Sequence, residues 1–143
     1  MRHAHAGDRE RWEGPDEARP LTDKGWRQAR ALAEWLAPLR PAKLLSSPYV
    51  RCVQTLEPLA EALSLTVLED HRLAEGEPAK LVLELLLSCE EDVVASTHGD
   101  IIPAILEKLW RTGLVEDARW AKGSTWVLKA EGGRITSARY VAP

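Results

Sequence analysis

The chain has 143 residues, 45% of them hydrophobic and 29% charged, with a formal net charge of −3. This is the length of one ordinary domain and the composition of a globular protein, which excludes a disordered or fibrous chain. The slightly acidic balance excludes a general nucleic-acid binder, and no segment approaches the ~18 uninterrupted apolar residues of a membrane span.

Residues 6–20 are polar and broken by Gly7, Gly14, Pro15 and Pro20, so they read as a loop. Within it Arg9, Arg11 and Trp12 either border a phosphate-bearing substrate or sit in solvent. Thr22 is expected to cap a helix running to about Leu36, with Trp26, Ala29, Ala33 and Leu36 recurring at helical spacing. Pro38 and Pro41 stop that helix, and residues 42–45 read as a buried strand. Ser47 is expected to cap the next helix, with Pro48 in its first position and Val53, Leu56, Ala60 and Leu63 as its buried face. Residues 66–68 form a second strand candidate, residues 79–87 a leucine-rich helix and residues 92–96 a third strand with His98 at its carboxyl end.

Asp100 is placed as the cap of a further helix with Ile102, Ile105, Leu106 and Leu109 on one face. Residues 124–129 and 134–141 around Gly132-Gly133 read as a hairpin. Alternation of strands and helices predicts an α/β fold with a mostly parallel central sheet flanked by helices and a C-terminal edge hairpin. Ligands of such sheets gather at the carboxyl ends of strands, where Arg2-His3, Arg51, Glu75 and His98 all fall. Most of the tryptophans are expected in core or rim packing. Cys52 and Cys89 are read as packing thiols, and with no signal-peptide pattern ahead of them the expectation is a single cytoplasmic domain over residues 1–143.

An arginine beside a histidine suits phosphoryl chemistry: imidazole accepts the group at nitrogen, while guanidinium binds its oxygens with planar, fixed donors. His3 is accordingly read as a nucleophile. Gly99 allows close backbone approach, and the N–H groups at the start of its helix can donate to an anion. A metal reading, in which His3 and His5 join His71, His98 and Asp100, is set aside because the carboxylate-rich sets of two-metal phosphoesterases are not visible at compact spacing. No metal or other cofactor is therefore expected, and His5 is assigned to the pocket wall. Surface salt bridging accounts for any single arginine but not for the recurring context.

Four ordered motifs span nearly the whole chain: Arg2-His3-Ala4, Leu21-Thr22-x-x-Gly25-x-x-Gln28-Ala29, Ser46-Ser47-Pro48-x-x-Arg51-Cys52-x-Gln54-Thr55 and Thr97-His98-Gly99. In this order they resemble the histidine phosphatase (phosphoglycerate mutase-like) superfamily, and most closely its SixA-type phosphohistidine phosphatases. The resemblance implies that His3 becomes phosphorylated, that Arg2 and Arg51 hold the nonbridging oxygens, and that a protonated His98 adds a third cation. Glu75, in Leu73-Ala74-Glu75-Gly76, stands where many members carry the acid that protonates the leaving group, with Glu77 close enough to compete.

The implied function is a metal-independent phosphatase hydrolysing a phosphohistidine protein or a small phosphomonoester through a phosphohistidine enzyme intermediate. The alternative is a noncatalytic phosphate-binding or regulatory module detached from a larger protein. No nucleic-acid or membrane partner is expected, and the oligomeric state is left open. Members of the family place a hydrophobic strand immediately before the Arg-His pair, whereas here only Met1 precedes it. The first central strand is therefore expected to be truncated.

Overall fold

The structure, a computed structural model, describes residues 1–143. Along the chain lie α1 (Asp23–Leu36), β1 (Lys43–Ser46), α2 (Val50–Leu63), β2 (Val67–Glu69), α3 (Ala79–Leu87), β3 (Val93–Ser96), α4 (Ile101–Arg111), β4 (Thr125–Glu131) and β5 (Arg134–Val141). The first three strands form a parallel sheet in the order β2-β1-β3, and β4 and β5 form the expected antiparallel hairpin.

Alternation along β1 sends Leu44 to one face of the sheet and Leu45 to the other. Leu44 packs with Leu32, Leu36, Leu56 and Leu59 of α1 and α2, and Leu45 packs with Val82, Leu85, Ile105 and Leu106 of α3 and α4. Helices on both faces are what a parallel sheet requires, because its crossovers run over the surface. No helix is long and apolar enough to cross a membrane.

The stretch Met1–His3 lies alongside β3 as a single parallel bridge, Arg2 to Thr97. Thr97 N donates to the Met1 carbonyl at 3.0 Å and His3 N to the Thr97 carbonyl at 2.9 Å. On its other side, Arg2 N donates to Ser124 O at 3.0 Å and Gly123 N to His3 O at 3.1 Å, joining the segment that leads into β4. The expected truncated strand is thus this short bridge, clamped between β3 and the approach to the hairpin.

Thr22 caps α1 as predicted, its hydroxyl accepting from Gly25 N. Two other expected caps are corrected. Tyr49, not Ser47, is the N-cap residue of α2 and makes no side-chain cap bond, so Pro48 lies outside the helix. Asp100 is the N-cap residue of α4, but its carboxylate accepts from Gly76 N at 2.8 Å instead of from its own helix. The inner face of α2 is corrected too: Arg51, Cys52, Thr55, Leu56, Leu59 and Ala60 are buried, while Val53 and Leu63 are only half-buried. Trp12, Trp110 and Trp120 are exposed, against the expectation of core or rim packing.

Candidate active site

The second motif does not reach the site; it holds the segment that carries His3. Gly25 is required because a Cβ there would overlap the His5 carbonyl oxygen. Gln28 Oε1 accepts from His5 N at 2.9 Å, and its Nε2 donates to Lys122 O at 3.0 Å, so one amide ties the N-terminal segment to the approach to β4. Ala29 is fully buried against Ala4 and Ala6. The third motif contributes in the same way. Thr55 Oγ1 accepts from Ala4 N at 3.0 Å and donates to the Arg51 carbonyl, and Gln54 Oε1 accepts from Leu21 N.

His3 is 6% exposed and lines an open cavity of ≈280 Å³ together with Arg2, Gly7, Asp8, Arg9, Arg19, Glu75, Gly99, Asp100 and Lys122. Its Nδ1 lies 2.7 Å from the Ala4 carbonyl. A carbonyl only accepts, so Nδ1 carries the proton and Nε2 keeps its lone pair. Burial pushes the His3 pKa down to about 3, with the charges of Arg51, His98 and Arg2 adding to the effect against the opposing bond to Ala4. The ring is therefore a neutral imidazole at neutral pH, the form that attacks phosphorus.

Arg2 reaches across Gly99, where a Cβ would come within 2.7 Å of the guanidinium carbon. Its Nη1 donates to the Trp120 carbonyl at 2.8 Å, and its buried Nε has no hydrogen-bond partner. Burial holds the pKa of Arg2 below its ordinary value, opposed by Asp100 and Glu75.

Arg51 is fully buried beneath the cavity and does not line it. Its donors go to the Asp16 carbonyl at 2.8 Å, the Asp16 carboxylate at 3.0 Å and Glu75 Oε2 at 3.2 Å. A longer contact of 3.4 Å runs from Arg51 Nη2 to His98 Nδ1. Guanidinium only donates, which makes that nitrogen an acceptor and puts the His98 proton on Nε2, 2.8 Å from Ser47 Oγ. The expectation of a cationic His98 is corrected accordingly: burial, reinforced by Arg51, pushes its pKa down to about 4. Ser47, expected to be a helix cap, orients this histidine instead. Cys52, 3.5 Å from the same ring nitrogen, has its thiol pushed up to about 12 by burial and stays protonated.

Glu75 lines the cavity and Glu77 does not. Both oxygens of Glu75 are held by Arg9, at 2.8 and 2.7 Å. Arg11 and Trp12 lie outside the cavity, as does His5, whose Nδ1 is 2.8 Å from Thr22 Oγ1; its assignment to the pocket wall is corrected. Sequence reasoning missed Arg19, Asp16 and Lys122. Arg19 is buried, with Nε 2.8 Å from Asp16 Oδ1 and Nη1 donating to the Ala6 carbonyl at 2.6 Å. A basic residue beside Pro20 and Leu21 was the available signal for Arg19; nothing local marks Lys122.

The motifs, the parallel sheet and the His3-Arg2 cavity agree with a match of the family model "Histidine phosphatase superfamily (branch 1)" to residues 1–81. The chain belongs to that superfamily. It is 34% identical over 151 residues to the 8-oxo-(d)GTP phosphatase of Mycolicibacterium smegmatis, a match covering 100% of this chain and 47% of that protein. It is 33% identical over 84 residues to the transcription factor tau 55 kDa subunit of Saccharomyces cerevisiae, over 50% of this chain and 19% of that one. The chain thus spans less than half the length of these two relatives. Among solved structures, a SixA protein from Agrobacterium tumefaciens superposes with a TM-score of 0.75 at 24% identity, covering 99% of this chain and 94% of that one. The protein histidine phosphatase SixA complexed with tungstate superposes with a TM-score of 0.76 at 22% identity, covering 99% and 92%. At these identities the superpositions establish the shared fold.

Proposed function

We propose that residues 1–143 act as one phosphatase domain that passes a phosphoryl group from substrate to His3 Nε2 and then to water, without a metal. The observation that carries this reading is the bond from His3 Nδ1–H to the Ala4 carbonyl, which leaves a neutral Nε2 lone pair for the polar, cation-lined cavity. Arg2 supplies fixed donors for the nonbridging oxygens, and a phosphoryl oxygen would give its orphaned Nε an acceptor. Arg51, packed beneath the cavity, is proposed to complete the oxygen cradle with Gly99 as Glu75 and Asp16 yield their bonds to it, while His98 holds Arg51 in place through Nδ1.

In the first step the N–P bond forms as the P–O or P–N bond to the leaving group breaks, and Glu75 gives that group its proton where it needs one. The Ala4 carbonyl stabilises the cationic phosphoimidazole through Nδ1–H. In the second step the Glu75 carboxylate takes a proton from water as that water attacks phosphorus and His3 leaves. The proposed substrates are a phosphohistidine protein or a small phosphomonoester, in keeping with the likeness to the SixA phosphatases, and cytoplasmic residence is proposed with them.

The test is direct. His3→Ala should fold normally and lose at least ~10³-fold in turnover of p-nitrophenyl phosphate, the scale seen when a covalent nucleophile is removed. Brief reaction with labelled substrate should leave an acid-labile, base-stable phosphate on His3 of the wild type, in the presence of excess chelator. Full activity in the variant, label on a serine, or activity abolished by chelator and restored by a divalent ion would refute the mechanism.

A further inference from the structure

Lys122 is the cation of the cavity that the transfer to His3 leaves unused. It is half-buried, and its ammonium has neither a salt bridge nor a hydrogen bond with the protein, although Arg9 and Arg19, which share the cavity, are paired with Asp16 or Glu75. Burial and then the charges of Arg2, Arg19 and Arg51 disfavour its charged form. A desolvated lysine among arginines is an unfavourable arrangement that an anion from outside would relieve.

The position of Lys122 is built into the fold. Its carbonyl accepts from Gln28 Nε2 at 3.0 Å, and the next residue, Gly123, donates to the His3 carbonyl at 3.1 Å. Gly123 has φ +80° and presses on Gln28, so the chain turns there in a conformation suited to glycine. The same backbone pairing that fixes the nucleophile therefore fixes Lys122 beside it. The cavity they share has no hydrophobic lining residue, and Arg2, Arg9, Arg19 and Lys122 outnumber Asp8, Glu75 and Asp100 around it, so a second polar, anionic group fits it and an apolar one does not.

Building on the phosphatase reading, we infer that Lys122 binds a second phosphate adjacent to the one transferred, and that the domain also takes a phosphoanhydride such as a nucleoside diphosphate. His3 Nε2 attacks the terminal phosphorus, and the bond from that phosphorus to the bridging oxygen breaks. The departing phosphate keeps the electron pair as a dianion that needs no proton, and Lys122 offsets the charge as it develops. Water then releases orthophosphate from His3. A monoester or a phosphohistidine presents no group to Lys122, so the residue sets specificity between these classes.

The test combines binding and turnover on the full chain. By calorimetry, methylenebisphosphonate should bind the wild type at least 10-fold more tightly than methylphosphonate, a gap typical of one added charge-assisted contact. Lys122→Ala should shrink that gap to about 2-fold or less, Lys122→Arg should restore most of it, and Lys122→Met, which keeps the aliphatic stem, should behave as the alanine variant does. In turnover, Lys122→Ala should lower kcat/KM for guanosine diphosphate at least 10-fold more than for guanosine monophosphate. An unchanged gap in binding, or equal loss on both nucleotides, overturns the inference. Label on His3 with an unchanged gap leaves the phosphatase reading standing and removes the two-phosphate site. A Lys122-dependent gap with no label on His3 does the reverse.

Discussion

Gly99→Ala, combined with removal of Arg2, tests the positioning of Arg2. A methyl group at this position would lie 2.7 Å from Arg2 Cζ, 2.7 Å from Nε and 2.8 Å from Nη2, where ordinary contact begins at 3.4 Å. The guanidinium must therefore retreat by about 1 Å to recover a dispersion contact near its optimum. Arg2 meets the methyl group with the far end of a flexible side chain, so the fold yields at little cost, of order 1 kcal/mol, at the low end of overpacking penalties. Catalysis does not yield in the same way. A shift of about 1 Å in a group that binds the reacting phosphoryl oxygens costs on the order of 10²-fold, or about 2.7 kcal/mol of transition-state stabilisation.

The assay is kcat/KM for p-nitrophenyl phosphate and Tm, measured for the wild type, Gly99→Ala, Arg2→Ala and the double variant. If Arg2 carries the effect, Gly99→Ala lowers kcat/KM about 10²-fold in the wild-type background and less than about 2-fold once Arg2 is gone, because the two changes act on one interaction. Wild-type kcat/KM in the single variant, or full additivity in the double, would refute the reasoning.

Glu75→Gln should slow substrates with poor alkoxide leaving groups at least ~10-fold more than p-nitrophenyl phosphate, since only the former need the proton; equal slowing assigns Glu75 to holding Arg9 and Arg51. Ring signals of His3 and His98 should stay in the neutral form from pH 8 down to pH 5 in an NMR titration, given pKa values of about 3 and about 4; a midpoint near the ordinary 6.5 for either would refute the neutral buried ring. Because both folded values lie below 6.5, the unfolded chain binds more protons between the two limits, so their contribution to stability is complete above pH 6.5 and is lost as pH falls towards about 4 for His98 and about 3 for His3. Denaturation at pH 7 and pH 5 should accordingly show His3→Asn losing less stability than the wild type over that interval, and an equal loss would reject the linkage.

Local patterns in the sequence carried much of the architecture. The capping hydroxyl of Thr22, the apolar spacing of α4 and the glycine pair between β4 and β5 each act over a few residues, so a linear reading finds them. The alternation of strands and helices likewise gave the parallel sheet, because crossovers over both faces leave few other arrangements. Arg2, His3 and Gly99 stood out by the chemistry of their motifs and Glu75 only through the family resemblance, and the cavity brings those residues together.

Tertiary structure decided what depends on partners far away in the chain. The inner face of α2 was misread because Arg51 and Thr55 are buried there as polar residues, hydrogen-bonded to Asp16, Glu75 and Ala4, and no apolar period records them. Ser47 and Asp100 carry good capping side chains, but His98 and the Gly76 N–H, which the fold brings to them from elsewhere in the chain, bind them instead. Lys122 had no local signature at all. Its place beside His3 follows from hydrogen bonds between residues more than ninety positions apart in the chain, and only folding brings those groups within reach of one another.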